Sequence, residues 1–135
     1  MKTNRHLDDL LDDEGVRRVR ELLAARPDAV VSLLDRDGRM LWLSEPGSRG
    51  MFGRAPEAVE GHTALDYIHP DDRNRTRDHY ARALDGGTVR WSARALDAEG
   101  RWRAVTTVAW GVGPDVMVAI STTSVDDDVP AGSQR

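Results

Sequence analysis

The sequence predicts an α+β domain built around an antiparallel sheet. At 135 residues the chain has room for one domain with one modest core. Hydrophobic residues recur at three- and four-residue steps near the amino terminus, whereas from residue 28 they alternate with a period of two. Strand-like segments lie at both ends of this second region with helical segments between them, which is typical of an α+β fold. The two ends must pair side by side to avoid bare strand edges, so we expect residues 28–44 to pair with residues 116–124.

Residues 5–25 predict an amino-terminal amphipathic helix, because leucine and valine recur along one stripe with charged residues between them. Gly15 lies within this segment and is expected to divide or interrupt the helix, and Pro27 is expected to end it. The stripe either packs on the body of the domain or forms a dimer seam, and too few heptads are present to separate these alternatives. The residues assigned to a candidate dimer interface are Leu7, Leu11, Val16, Val19, Leu22, Leu23 and, on a later strand, Trp110.

Turn residues divide the rest of the chain into further elements. Glycines and prolines are so frequent between residues 45 and 69 that only short helices fit there. The predicted elements are a hairpin over 28–44 with its turn at 35–38, short helices at 48–52, 56–59 and 63–68, a longer helix at 70–84, and strands at 88–97, 101–110 and 116–124. We therefore divide the chain into an amino-terminal helical segment (1–26), a domain (27–125) and an acidic, then Pro/Gly/Ser-rich tail (126–135) that is expected to be disordered.

Composition argues against several classes of protein. The net charge is -4, with 19 basic against 23 acidic residues and no long basic run, so a nucleic-acid partner is not expected. No apolar stretch approaches the length of a membrane span and the first residues lack the apolar core of a signal peptide, so we expect a cytoplasmic protein with no membrane contact. Cysteine is absent, which excludes disulfides, thiolate catalysis and any covalent flavin–thiol adduct.

The stretch IHPDD, residues 68–72, has two interpretations. As a helix start, Pro70 forces His69 to be extended, and Asp71 and Asp72 fall in the first turn, where the helix dipole favours carboxylates. As a metal site, it would need ligands that converge, but His69 and Asp71 lie across a proline bend and His79 is two turns further on. The helix start is favoured, and no metal site is predicted.

Three segments of the chain resemble a PAS domain. PDAVVSLLDRDGRMLWLS (27–44) is similar to the opening hairpin of that family, MFGRAPEAVEGHTALDYIHPDDR (51–73) to its helical crossover, and DAEGRWRAVTTVAW (97–110) to a hairpin in which a glycine turn leads to Arg-Trp. The resemblance spans residues 27 to about 124. It implies a five-stranded antiparallel sheet with the helices on one face, a small internal cavity, and a sensory or regulatory role, commonly in dimers attached to an output domain.

The resemblance also directs attention to residues that would line the cavity. Some PAS domains hold haem through a histidine on the long helix, but the matching position here is Thr76, so haem is not favoured. A reversibly bound flavin or a small organic acid stays compatible with the sequence, and the identity of any cofactor stays open. Four tryptophans fall in predicted strands, where they either line a pocket or cover the sheet. The candidate cavity residues are Ser44, Phe52, Tyr67, Thr76, Arg77, Tyr80, Trp91, Trp102 and Ala104.

Two of these residues depend on particular arguments. Ser44 stands where the family often has asparagine, and its hydroxyl is expected to cap the helix that begins near residue 45. Arg77 lies at the edge of the inner stripe of the long helix, where it either reaches an anionic ligand or extends into solvent.

The sequence contains no set of residues arranged for catalysis, so an enzyme is not predicted. One hypothesis is a ligand sensor that relays binding in the cavity through dimer or partner contacts. The other is a ligand-free module for dimerisation or protein interaction that controls a separate or truncated output domain. The expected partners are a second copy of the chain, a small-molecule ligand, and a signalling protein or output domain.

Overall fold

The computed structural model describes residues 7–26 and 28–123. The tail predicted to be disordered, 126–135, lies outside the described residues. The elements are the helices α1 (Leu7–Leu10), α2 (Asp13–Ala25), α3 (Glu45–Phe52), α4 (Pro56–Val59) and α5 (Arg73–Leu84), and the strands β1 (Val30–Asp35), β2 (Met40–Leu43), β3 (Thr88–Leu96), β4 (Trp102–Gly111) and β5 (Val116–Thr123). Two 3₁₀ turns, Ala64–Tyr67 and Pro70–Asp72, precede α5. Among the described helices, none combines the length and apolar character needed to cross a membrane.

The five strands form one antiparallel sheet in the order β2-β1-β5-β4-β3. Strands from opposite ends of the domain pair at its centre, with Val30 opposite Ser121 and Asp35 opposite Val116. The predicted pairing of the first hairpin with the last strand is confirmed. The predicted fold class, a five-stranded antiparallel sheet with helices and a preceding amino-terminal helix, is confirmed as well.

The sheet is covered on both faces by hydrophobic clusters. Because side chains alternate along a strand, Val30 and Leu34 of β1 face α3 and α5, whereas Val31 and Leu33 face α1 and α2. The larger cluster lies between the sheet and the crossover helices; we call this side the inner face. The smaller cluster lies between the sheet and the amino-terminal helices, on the outer face.

The amino-terminal segment forms two helices, but the break is at Asp12 and not at Gly15. Asp12 is the N-cap of α2, and its carboxylate accepts a hydrogen bond from Gly15 N at 2.8 Å. Gly15 therefore lies in the first turn of α2, where the Asp12 carboxylate accepts the hydrogen bond of its amide.

The stripe assigned to a dimer interface instead packs mainly on the sheet of its own chain. Leu7, Val16 and Val19 are buried in the outer-face cluster, and Val19 is 1% exposed. Leu11, Leu23 and Trp110 are half-buried against the same cluster, and Leu22 is half-buried. Most of this stripe is consequently buried within one chain. This corresponds to the alternative in which the helix packs on the body of the domain.

The IHPDD stretch does more than start a helix. His69 Nδ1 accepts a hydrogen bond from Asp71 N at 3.1 Å, and His69 N donates to Arg94 O of the edge strand β3 at 2.9 Å. Asp72 is 4% exposed and accepts hydrogen bonds from Arg94 N (2.8 Å), Nε (3.0 Å) and Nη2 (2.9 Å). These bonds from Arg94 outweigh burial and lower the pKa of Asp72 to about 2. We call this arrangement the Asp72–Arg94 clamp, which fixes the start of α5 to β3.

Candidate functional site

A cavity of about 60 Å³ lies between the inner face of the sheet and the crossover helices. Small side chains of the strands create the space, since Ala93 and Ala95 of β3 and Ala119 of β5 all point into it. The helical side of the wall comes from α3, the 3₁₀ turn before Ile68, and α5. The lining residues are Val30, Ser32, Leu34, Met40, Leu43, Met51, Phe52, Ala64, Tyr67, Ile68, Thr76, Tyr80, Trp91, Ala93, Ala95, Val105, Thr107, Ala119 and Ser121.

The wall is apolar apart from a few hydroxyl groups, and none of its described residues is charged. Thr107 Oγ1 and Ser121 Oγ lie 2.9 Å apart and hydrogen bond to each other, and Ser32 Oγ lies 3.5 Å from Ala119 O. Thr76 is 1% exposed, and its Oγ1 has no hydrogen-bond partner among the described residues. Burial raises the pKa of Tyr80, so its phenol stays protonated at neutral pH.

An aromatic group forms the wall near β3. The His79 ring stacks on Trp91, with centroids 4.8 Å apart and planes 14° apart, and Tyr80 meets Trp91 edge-on at 5.9 Å. His79 Nδ1 is buried and has no partner among the described residues. Burial, followed by the charges of Arg82 and Arg75, lowers the pKa of His79. The imidazole against Trp91 is therefore neutral at neutral pH.

The structure brings together five of the nine candidate cavity residues. Phe52, Tyr67, Thr76, Tyr80 and Trp91 all line the cavity. They come from α3, the 3₁₀ turn, α5 and β3, which meet only in the folded chain.

The other four candidates lie elsewhere. Ser44 is buried at the end of β2, and its hydroxyl accepts from Val31 N at 3.0 Å; it makes no cap bond to α3. Trp102 and Ala104 project from the outer face, because the inward positions of β4 are those of Val105 and Thr107. Trp102 is 41% exposed and contacts the His69 ring at 4.9 Å.

Arg77, the fourth, is exposed and lies outside the cavity. Its Nη1 donates to Asn74 Oδ1 at 3.1 Å. It borders a second groove, which carries charges of both signs and which Tyr80 separates from the cavity; we call it the outer groove. The lining residues of the outer groove are Arg36, Asp37, Thr63, Leu65, Asp66, Arg73, Arg77 and Tyr80. Of the two alternatives for Arg77, the structure has the second, because the side chain extends into solvent and does not line the cavity.

Sequence reasoning missed most of the strand residues in the wall. On β4 the candidate cavity residues were Trp102 and Ala104, whereas the alternate positions Val105 and Thr107 line the cavity. Met40 and Met51 also line the cavity and gave no periodic signal. The alternation along β1 was the available signal for the wall. Val30, Ser32 and Leu34 share the inner face and combine two apolar side chains with one hydroxyl.

Within residues 7–26 and 28–123, no three histidine, aspartate or glutamate side chains lie close enough together to hold a metal ion.

Comparison with known families agrees with this architecture. The sequence model of the family described as PAS fold matches residues 23–112, which is most of the chain. The chain belongs to the PAS fold family. Domains of this family are sensory and signalling modules, and some of them bind small molecules. A search of curated proteins finds no match to this PAS domain.

Solved structures similar to this PAS domain come from bacteria, archaea and animals. The PAS domain of an HTR-like protein from Haloarcula marismortui superposes with a TM-score of 0.64 at 16% identity, covering 82% of this chain and 99% of that one. The PAS domain of the Cronobacter turicensis RpfR quorum-sensing receptor, in complex with C12:0, gives 0.63 at 15% identity, covering 71% and 93%. Drosophila melanogaster Cycle PAS-B, with bound ethylene glycol, gives 0.62 at 14% identity, covering 70% and 99%. Likeness at these identities shows the fold.

Proposed function

We propose that this PAS domain is a non-enzymatic sensory module that binds a small molecule in its internal cavity and passes the change to the amino-terminal helices. The observation that supports the proposal most directly is the cavity itself, which is walled mainly by apolar side chains and holds a buried Thr76 hydroxyl with no partner among the described residues. Ligand sites in proteins are commonly concave and mainly apolar, with a few polar groups that fix orientation.

A short physical path connects the cavity to the amino-terminal helices. The same two central strands line both, because Val30 and Ala119 face the cavity while Val31 and Val118 pack in the outer-face cluster. A ligand that shifts β1 or β5 therefore also moves Val31 and Val118, which share the outer-face cluster with Val19. A ligand that prefers one arrangement of these helices would shift their population.

The size of the cavity limits the ligand. An engineered protein cavity of about 150 Å³ binds benzene, whereas this cavity is about 60 Å³. We therefore propose a ligand smaller than benzene and no resident haem or flavin. A ligand such as the C12:0 bound by the Cronobacter domain would require the cavity to enlarge.

A second function is favoured by one observation on the outer face. Trp102 is 41% exposed there, and large exposed aromatics are enriched where proteins bind one another. In this alternative the domain is a ligand-free interaction module that forms a homodimer or binds a partner signalling protein in the cytoplasm.

Native mass spectrometry of freshly purified protein tests the proposal, because it reports bound small molecules and oligomeric state together. The informative variant is Ala119→Leu, which fills the cavity from β5, and the matched control is Ala104→Leu, which adds the same atoms on the outer face of β4. We expect a stoichiometric adduct in the wild type and in Ala104→Leu but not in Ala119→Leu. A dimer without any adduct in all three proteins would favour the interaction module instead.

A further inference from the structure

We infer that the cavity selects a small, uncharged molecule whose one hydrogen-bonding group meets Thr76 Oγ1 and whose remainder is apolar. This inference rests on the proposed function, because it names the class of ligand for the same cavity. Alcohols, aldehydes, ketones and simple amides of a few carbons belong to this class, whereas carboxylates, amines and phosphates do not.

The position of Thr76 supplies the polar contact. It lies on α5 with 1% of its surface exposed, lines the cavity, and has a hydroxyl oxygen without a partner among the described residues. Buried polar groups in native proteins are nearly always hydrogen-bonded, and leaving one unpaired destabilises the fold. A ligand or a water molecule in the cavity would satisfy this hydroxyl.

The other short hydroxyls of the wall are already engaged. Thr107 and Ser121 bond to each other across β4 and β5, and Ser32 Oγ is directed at Ala119 O. Within the described part of the wall, the Thr76 oxygen is the one that is both buried and unpartnered. The ligand is therefore expected to make its polar contact on the α5 side and to place its apolar part against the alanines of the sheet.

The absence of charge in the described wall sets the second criterion. An ionised ligand would lose its hydration inside the cavity without meeting a counter-charge, which is strongly unfavourable. The arginines of α5 do not compensate, because none of them lines the cavity: Arg73 Nε is bonded to Ile68 O at 2.9 Å and Arg77 borders the outer groove. An anion is thus excluded from the cavity by the cost of desolvation.

Three probes of similar size separate these criteria: 1-propanol, 1-chloropropane and propionate at pH 7. Each is titrated into ¹⁵N-labelled protein while the four tryptophan indole N–H signals are followed by NMR. Trp91 lines the cavity, whereas Trp102 lies on the outer face and reports non-specific effects. We expect 1-propanol and 1-chloropropane to shift the Trp91 signal saturably, and propionate to bind at least about 10-fold more weakly than 1-propanol.

The decisive variant is Thr76→Val, which removes the hydroxyl and keeps the shape of the side chain. We expect it to weaken 1-propanol about 2- to 10-fold, the effect of one net hydrogen bond, and to leave 1-chloropropane within about 2-fold. Thr76→Ser retains the hydroxyl and is the matched control, with 1-propanol affinity close to that of the wild type. Should Thr76→Val fail to fold, Thr76→Ala replaces it. The ratio of the 1-propanol affinity to the 1-chloropropane affinity is then compared between this variant and the wild type.

The outcomes separate this inference from the proposed function. If both neutral probes bind at Trp91 but Thr76→Val changes their affinities equally, the inference about ligand class is wrong. It is also wrong if propionate binds as tightly as 1-propanol. In either case the ligand-binding cavity itself is still supported. If no probe shifts the Trp91 signal, the inference fails and the proposed sensor function loses its support as well.

Discussion

Replacing Asp72 by asparagine tests the role of the Asp72–Arg94 clamp. The carboxylate accepts three hydrogen bonds from Arg94 and is 4% exposed. Its pKa is lowered from 3.8 to about 2. Because each unit of pKa corresponds to about 1.4 kcal/mol, the ionised carboxylate contributes about 2 kcal/mol to the free energy of unfolding at pH 7. Asp72→Asn keeps the shape but removes this charge, so we expect a loss of about 2 kcal/mol.

The pH dependence gives this prediction a sign. Since the pKa of Asp72 is lower in the folded than in the unfolded chain, its contribution is complete above the unfolded pKa of 3.8 and is lost as pH falls through the folded pKa of about 2. The wild type should therefore exceed Asp72→Asn by about 2 kcal/mol at pH 7 and by about 1 kcal/mol at pH 3. Urea unfolding followed by circular dichroism measures both values, with the exposed Asp78→Asn of the same helix as control.

Two results would refute the reasoning about the clamp. Equal stabilities of wild type and Asp72→Asn at pH 7 would show that the bonds from Arg94 contribute nothing beyond those to water. A difference that stays the same between pH 7 and pH 3 would show that the lost stability comes from packing and not from ionisation.

Further predictions concern other positions. A Cβ at Gly47 would lie 2.4 Å from Ala29 O, so Gly47→Ala should lower the free energy of unfolding by about 1–3 kcal/mol, as measured by urea unfolding. A Cβ at Gly50 in the same helix would have no atom of the described residues within 4 Å, so Gly50→Ala should raise the free energy of unfolding by up to about 1 kcal/mol. Because burial lowers the pKa of His79 from 6.5, the unfolded chain binds the proton more readily, so stability should fall as pH drops below 6.5. His79→Gln should flatten this slope in chemical unfolding at pH 7 and pH 5. Val19→Ala removes two buried carbons from the outer-face cluster and should cost about 2 kcal/mol by the same assay.

The order of elements was predictable because local signals and long-range pairing agree. Alternation in 28–44 and in 116–124, with glycine and proline between, was sufficient to predict that β1 and β5 are neighbours, and the helix bounds were predicted to within a few residues. The predicted break in the amino-terminal helix is misplaced because glycine is the common helix breaker, whereas here α1 ends at Leu10 and Asp12 caps α2.

The site was predictable only in part, because the lining depends on which face of each strand is turned inward. Trp102 and Ala104 were assigned to the cavity from residue type, but the β3–β4 register turns them outward. The sequence places Asp72 only in the first turn of a helix, and its partner, Arg94, lies 22 positions away on an edge strand. Such pairings leave no periodic trace in a single sequence, so the clamp could be found only in the structure.

Hydrogen exchange of α2 with and without a cavity ligand tests the proposed relay most directly. With the cavity saturated by 1-propanol, the account predicts altered protection of the amides around Val16 and Val19, which pack on the strands that line the cavity. The change should disappear in Ala119→Leu and persist in Ala104→Leu. Unaltered protection of α2 while the Trp91 signal reports a filled cavity would contradict the account.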